Sequence, residues 1–132
     1  MYLIDTNIII YSLKGHESVN EQLRNHLNDP IVIGTVTLME LYYGAYKSQK
    51  VESNLAKVKA IENAFTVIPV DQGVVEIFGL LKAGLEKNGT PLDDFDLILA
   101  AVALSNNFIL VTNNEKHFQR IEGLAIENWS KP

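Results

Sequence analysis

Short apolar runs alternate with longer stretches of helical spacing along this chain. Tyr2-Leu3-Ile4 is too short a run for a helix and predicts a buried strand. Asn7 to Leu13 is apolar enough for either a strand or a buried helix, and periodicity leaves both open. Ser18 to Leu27 has the spacing of a helix, which Asp29-Pro30 ends, and Ile31-Val32-Ile33 predicts a second strand. A helix opening at Thr37 and running through Leu41, Tyr42 and Ala45, then another from Val51 to Ala64, predict a helical hairpin. Phe65 to Val70 predicts a third strand with Pro69 at an edge or near the exit, because proline cannot donate to a ladder. Asp71 begins a long helix to Lys87, which Asn88-Gly89-Thr90-Pro91 stops, and the next helix spans about Asp93 to Ser105. Phe108 to Val111 predicts a fourth strand, Glu115 to Arg120 a short helix, and Leu124 to Ile126 a last strand.

Strand and helix in alternation favour a mostly parallel sheet covered on both faces and joined by right-handed crossovers. At 132 residues the chain fits one domain, and no internal repeat, low-complexity tract or linker divides it. The absence of cysteine removes thiolate metal sites, disulfides and cysteine nucleophiles, and fits a reducing compartment. No basic segment leads into an apolar one at the N-terminus, and Leu97 to Leu104 is far shorter than the roughly 20 residues of a membrane helix. A cytoplasmic protein is expected. The net charge of -5 argues against a DNA-binding module, which needs a basic surface. It counts less against a metal nuclease, whose acids gather at the metal.

Asp5, Glu40, Asp94 and Asp96 all fall at the ends of apolar runs or the starts of helices. Each has a local explanation. Thr37-Leu38-Met39-Glu40 and Thr112-Asn113-Asn114-Glu115 have the pattern of capping boxes, Asp93-Asp94-Phe95-Asp96 can complement a helix dipole, and Asp5 can cap a helix starting near Thr6. Together they favour a site. A parallel sheet brings its carboxyl ends to one crevice, where clustered carboxylates repel unless a cation joins them. An all-oxygen set suits Mg²⁺ or Mn²⁺. His16, His26 and His117 have no partner at metal-ligand spacing and are expected to be solvated. Tyr42, Tyr43 and Tyr46, at helical spacing, fit a core or an interface better than base stacking.

Four blocks carry a resemblance: Asp5-Thr6-Asn7, Thr37 to Ala45, Pro91 to Ala101, and Val111-Thr112-Asn113-Asn114. In their order and spacing the chain resembles a PIN-domain ribonuclease and, more narrowly, a VapC toxin of a bacterial toxin–antitoxin pair. The resemblance runs from Tyr2 to about Trp129. It implies a three-layer α/β/α sandwich and a Mg²⁺- or Mn²⁺-dependent endoribonuclease that cuts structured RNA, tRNA included. Its motifs map the metal-binding, catalytic acids to Asp5, Glu40 and Asp96, with Thr6, Asn7 and Thr112 as supporting polar residues. Many relatives carry a fourth acid where this chain has Asn114, which offers an oxygen but no charge. Asp94 and Asp93 are secondary candidates to supply it. The resemblance further implies a small VapB-like antitoxin that covers the site, and a homodimer formed through the Thr37 to Ala64 hairpin.

Two rivals stand beside this. A catalytically silent PIN fold would act by binding a protein or RNA. An aspartyl phosphatase would need a second aspartate two residues after Asp5, where Asn7 stands.

Overall fold

Five short parallel strands form one sheet in the order β3-β2-β1-β4-β5, in a computed structural model that describes residues 1–132. The strands are β1 Tyr2–Ile4, β2 Ile31–Gly34, β3 Thr66–Ile68, β4 Ile109–Val111 and β5 Ile126–Glu127. The helices are α1 Thr6–Leu13, α2 Glu17–Asn25, α3 Thr35–Lys47, α4 Val51–Ala64, α5 Gln72–Lys87, α6 Asp94–Asn106 and α7 Glu115–Phe118. β1 is flanked on both sides, with Tyr2 opposite Ile31 on β2 and opposite Ile109 on β4.

The strands are apolar throughout because both faces of the sheet are covered. Side chains alternate by the period of two. Leu3, Val32 and Leu110 pack with Val74, Leu85 and the α6 residues Leu97 to Ala103, while Ile4, Ile33 and Val111 pack with α1, α3 and α4 through Ile8, Leu41 and Val58. The result is the expected α/β/α sandwich, and its sheet is wholly parallel.

From β1 the chain steps to β2 and then β3; it returns past them through α5 and α6 to place β4 on the other side of β1. The direction of winding therefore reverses between β1 and β4. A crevice opens beyond the carboxyl ends of strands at such a reversal.

The ambiguous Asn7 to Leu13 segment is helical, as part of α1, because Asp5 caps a helix that begins directly after β1. Helix α3 begins at Thr35, two residues before the expected Thr37, since β2 runs into it with only Gly34 as the capping residue. The last strand is Ile126–Glu127, which starts two residues later than the expected Leu124 to Ile126 and ends one residue beyond it. Asn107, in the left-handed region at φ 57°, ends α6 and turns the chain into β4. No helix is long and apolar enough to cross a membrane.

Candidate active site

Only four polar or charged residues are buried in the whole protein: Asp5, Thr6, Thr37 and Thr112. All four lie at the carboxyl edge of the sheet, where the chain leaves β1, β2 and β4. Burying polar groups is unfavourable unless each finds a partner, and here every buried side-chain nitrogen and oxygen has one.

Asp5 stands at the centre. Its backbone N–H extends the β1–β4 ladder by donating to the Val111 carbonyl at 2.9 Å. Its Oδ1 accepts from the Thr6 backbone N–H at 2.7 Å, and its Oδ2 accepts from the Thr112 hydroxyl at 2.8 Å. Thr112 Oγ1 in turn accepts from the Asn114 N–H at 3.0 Å. The Thr6 hydroxyl donates to Glu40 Oε1 at 2.7 Å and lies 3.3 Å from the Thr37 hydroxyl. Thr6 has one proton, and the shorter contact to the carboxylate takes it, so the Thr37 proton is left to point at Thr6. Three hydroxyls thus orient two carboxylates from three different segments.

Burial is the largest influence on the Asp5 carboxyl, raising its pKa to about 6, and the charges of Asp96 and Glu40 add to the rise against the two hydrogen bonds. Asp96, in the first turn of α6, is also pushed above the usual carboxylate range by burial; a contact from His117 Nδ1 at 3.4 Å opposes this. No Lys or Arg is paired with either acid; the protein's side-chain ion pairs to Lys go to Asp94 and Glu115.

The structure brings Asp5, Thr6, Glu40, Asp96 and Thr112 into this neighbourhood, and it also revises their local explanations. Thr37 and Glu40 form no capping box, because α3 starts two residues earlier and both side chains turn to Thr6. Thr112 and Glu115 form none either: Thr112 serves Asp5, and Glu115 is held by Asn128 at 3.0 Å and Lys131 at 2.7 Å. Asp5 does cap α1, so capping and placement at the crevice are compatible. Asp93 caps α6 through the Phe95 N–H at 3.2 Å. Asp94 points away to Lys82 at 2.9 Å and is exposed, so neither secondary candidate joins the acids. Asn114 occupies the capping position of α7 without a side-chain bond.

Two contributors escaped the sequence. Asn113 reaches Asn7 at 3.4 Å and the Tyr11 hydroxyl at 3.0 Å, tying the end of β4 to α1. His117, expected to be solvated, sits against Asp96. The other two histidines are structural as well, His16 capping α2 and His26 stacking on Trp129 at 4.5 Å. Except for the His16 cap, nothing local marks these roles, since each partner lies far along the chain.

Asp5, Glu40, Thr6 and Thr112 offer only carboxylate and hydroxyl oxygens, a donor set that suits a hard divalent cation. As the side chains are oriented, no three acidic or histidine groups stand close enough to share one ion. That spacing still accommodates Mg²⁺, which takes one or two protein carboxylates and keeps several waters.

A wholly parallel α/β/α sandwich whose winding reverses at a buried aspartate, with Glu40 of α3 and Asp96 of α6 in its neighbourhood, defines a PIN-like class of fold. The model of the PIN domain family matches residues 2–124, and the chain belongs to that family. It is 37% identical over 129 residues to a protein of Shigella flexneri named tRNA(fMet)-specific endonuclease VapC, covering 98% of each chain. It is 35% identical over 136 residues to Ribonuclease VapC2 of Rickettsia felis, covering 99% of each. Among solved structures, VapBC2 from Rickettsia felis, bound to a DNA fragment from the promoter, superposes with a TM-score of 0.90 at 35% identity, covering 97% of this chain and 98% of that one.

Proposed function

We propose that this chain is a VapC-type endoribonuclease, the toxin of a toxin–antitoxin pair, which hydrolyses RNA phosphodiester bonds with Mg²⁺ or Mn²⁺. The observation that carries this is Asp5: a buried carboxylate with no Lys or Arg paired to it, held by two donors and with its pKa raised further by the charges of Asp96 and Glu40. Asp5, Asp96 and Glu40 would hold the metal, one or two of them directly and the rest through its waters. When bound, it supplies a lowered pKa for water and charge stabilisation on the phosphate oxygens.

The chain's own residues do the positioning. Thr112 and the Thr6 N–H hold the two oxygens of Asp5, and the Thr6 hydroxyl fixes Glu40, so neither carboxylate has to reorganise as substrate arrives. Asn113 bonds Asn7 and Tyr11 and holds the α7 side of the crevice to α1. No histidine or cysteine nucleophile is required, and His117 contacts Asp96 from the partly open side.

Substrate and partner follow from the relatives. The tRNA(fMet) endonuclease points to initiator tRNA, and the solved VapBC pair points to a small antitoxin bound to this chain. An apolar groove of about 460 Å³ between α1, α3 and α4, floored by Ile10, Leu41, Val58 and Ile61, ends at Glu40. An antitoxin segment lying there would deliver a basic side chain to the acids, matching charge as well as shape.

The test is cleavage of initiator tRNA by the wild type and by Asp5→Asn and Asp96→Asn. Loss in both variants, and in the wild type with chelator, supports the reading; full cleavage by chelated wild type overturns it. A silent PIN fold that only binds is favoured by one observation, the lack of three acids around a common point. Melting in Mn²⁺ separates the two, because an ion that binds only the folded protein raises its melting temperature.

A further inference from the structure

A second cleft adjoins the acids on the α3 side, about 570 Å³ in volume and lined by Thr6, Asn7, Met39, Glu40, Tyr43 and Phe95 among others. Its inner wall is polar, formed by Thr6, Asn7 and Glu40, and its outer wall is apolar. Met39 and Tyr43 lie one turn apart on α3, and Phe95 directly precedes Asp96 on α6. These three side chains are 54%, 65% and 39% exposed, which is unusual for large apolar groups so close to a buried polar centre. The Tyr43 ring has the Lys47 ammonium 5.6 Å from its centroid. The lysine thus places a cation beside the Tyr43 wall of the cleft.

We infer that this cleft is a nucleobase subsite: with the scissile phosphate at Asp5, Glu40 and Asp96, the adjoining base lies against Tyr43 and Phe95 while Lys47 attracts the backbone. The inference rests on the ribonuclease reading. Three observations favour RNA as the occupant over the core or interface role that the helical spacing of Tyr43 predicts from sequence. The cleft is continuous with the acids, since Glu40 and Thr6 line it themselves. Its apolar wall is aromatic, and exposed aromatic rings are what hold unpaired bases, because every base has a face to stack. Lys47 on the Tyr43 ring complements a phosphate, in a chain whose net charge of -5 otherwise repels one. Stacking recognises an unpaired base of any identity, so the subsite would select unpaired nucleotides within a structured RNA.

The test uses full-length Asp5→Asn protein, expected not to cut, and two single-stranded RNA hexamers. One is oligoadenylate; the other is the same ribose-phosphate chain without bases. The subsite predicts that oligoadenylate binds roughly 5- to 100-fold more tightly than the abasic hexamer. Adding Tyr43→Ala removes that preference while abasic binding stays the same, and Tyr43→Phe keeps it. Sedimentation of each variant should match the parent. An unchanged or absent preference overturns the inference. So does a Tyr43→Ala variant that sediments in a different state, because the ring then belongs to a contact between copies of the chain. Cleavage of initiator tRNA by the wild type is scored separately: its absence alongside an intact base preference removes the ribonuclease reading and leaves a base-binding cleft.

Discussion

The Thr112 hydroxyl donates to Asp5 Oδ2 at 2.8 Å across 107 residues of sequence. The bond spans the gap between β1 and β4, where the winding of the sheet reverses. It fixes the orientation of the most buried acid in the protein, and much of the site's behaviour follows from what Asp5 experiences there.

Without metal, Asp5 should destabilise the fold at neutral pH. Its folded pKa of about 6 lies above the ordinary carboxylate value, so between about pH 4 and 6 the folded protein holds a proton that the unfolded chain has released. Stability contributed by that proton is present below pH 4 and is lost as pH rises to about 6, by on the order of 3 kcal/mol. Denaturant melts of chelated protein across this range should show the fall, and Asp5→Asn should flatten it.

Asp5→Asn should also raise the stability of the chelated protein at pH 7, by about 1–3 kcal/mol, while abolishing cleavage. An amide keeps the shape and removes a charge that burial disfavours. Gain of stability with loss of activity would separate a functional acid from a structural one; equal losses of both would count against the assignment.

Thr112→Val leaves a buried carboxylate oxygen and the Asn114 N–H without their partner. The expected cost is about 1–3 kcal/mol, and the Asp5 pKa should move further up because a bond that lowers it is gone. Thr112→Ser should recover most of both. Melts at pH 7 with a pH profile of cleavage read the two effects independently.

Glu40→Gln tests whether this residue serves α3 or the site. Since α3 starts at Thr35 and Glu40 bonds Thr6, the variant should melt within about 0.5 kcal/mol of the parent and still lose cleavage. A loss of about 1 kcal/mol, typical of a removed cap, would restore the capping explanation. Asp94→Asn should leave cleavage intact, because Asp94 is exposed and turned to Lys82.

Mn²⁺ should raise the melting temperature of the wild type, and more at pH 7 than at pH 5, where Asp5 is largely protonated. The rise should vanish in the Asp5→Asn, Asp96→Asn double variant. Failure of millimolar Mn²⁺ to shift the wild type would favour the silent PIN fold.

Strands and long helices were legible because burial on both faces demands continuous apolar runs such as Leu3-Ile4 and Val32-Ile33, and because Asn88-Gly89 and Asp29-Pro30 stop helices wherever they occur. Asp5, Glu40 and Asp96 were legible as acids at the borders of those runs. The two capping patterns are not realised for a physical reason: a threonine three residues before a glutamate can bond the backbone or a distant side chain, and local spacing is the same for both. Where β2 hands over to α3 decided the matter for Glu40.

The sequence by itself determined the alternation of elements, the parallel sheet, and which carboxylates stand at its carboxyl edge, since these depend on local propensity and on the period of apolar residues. Only the tertiary structure decided their partners. It set Thr112 and Thr6 on the two oxygens of Asp5, turned Asp94 out to Lys82, brought His117 to Asp96, and opened an aromatic cleft beside Glu40. Those contacts join residues on separate elements, and a hydroxyl or carboxylate acquires its role only when packing fixes which neighbour is within about 3 Å.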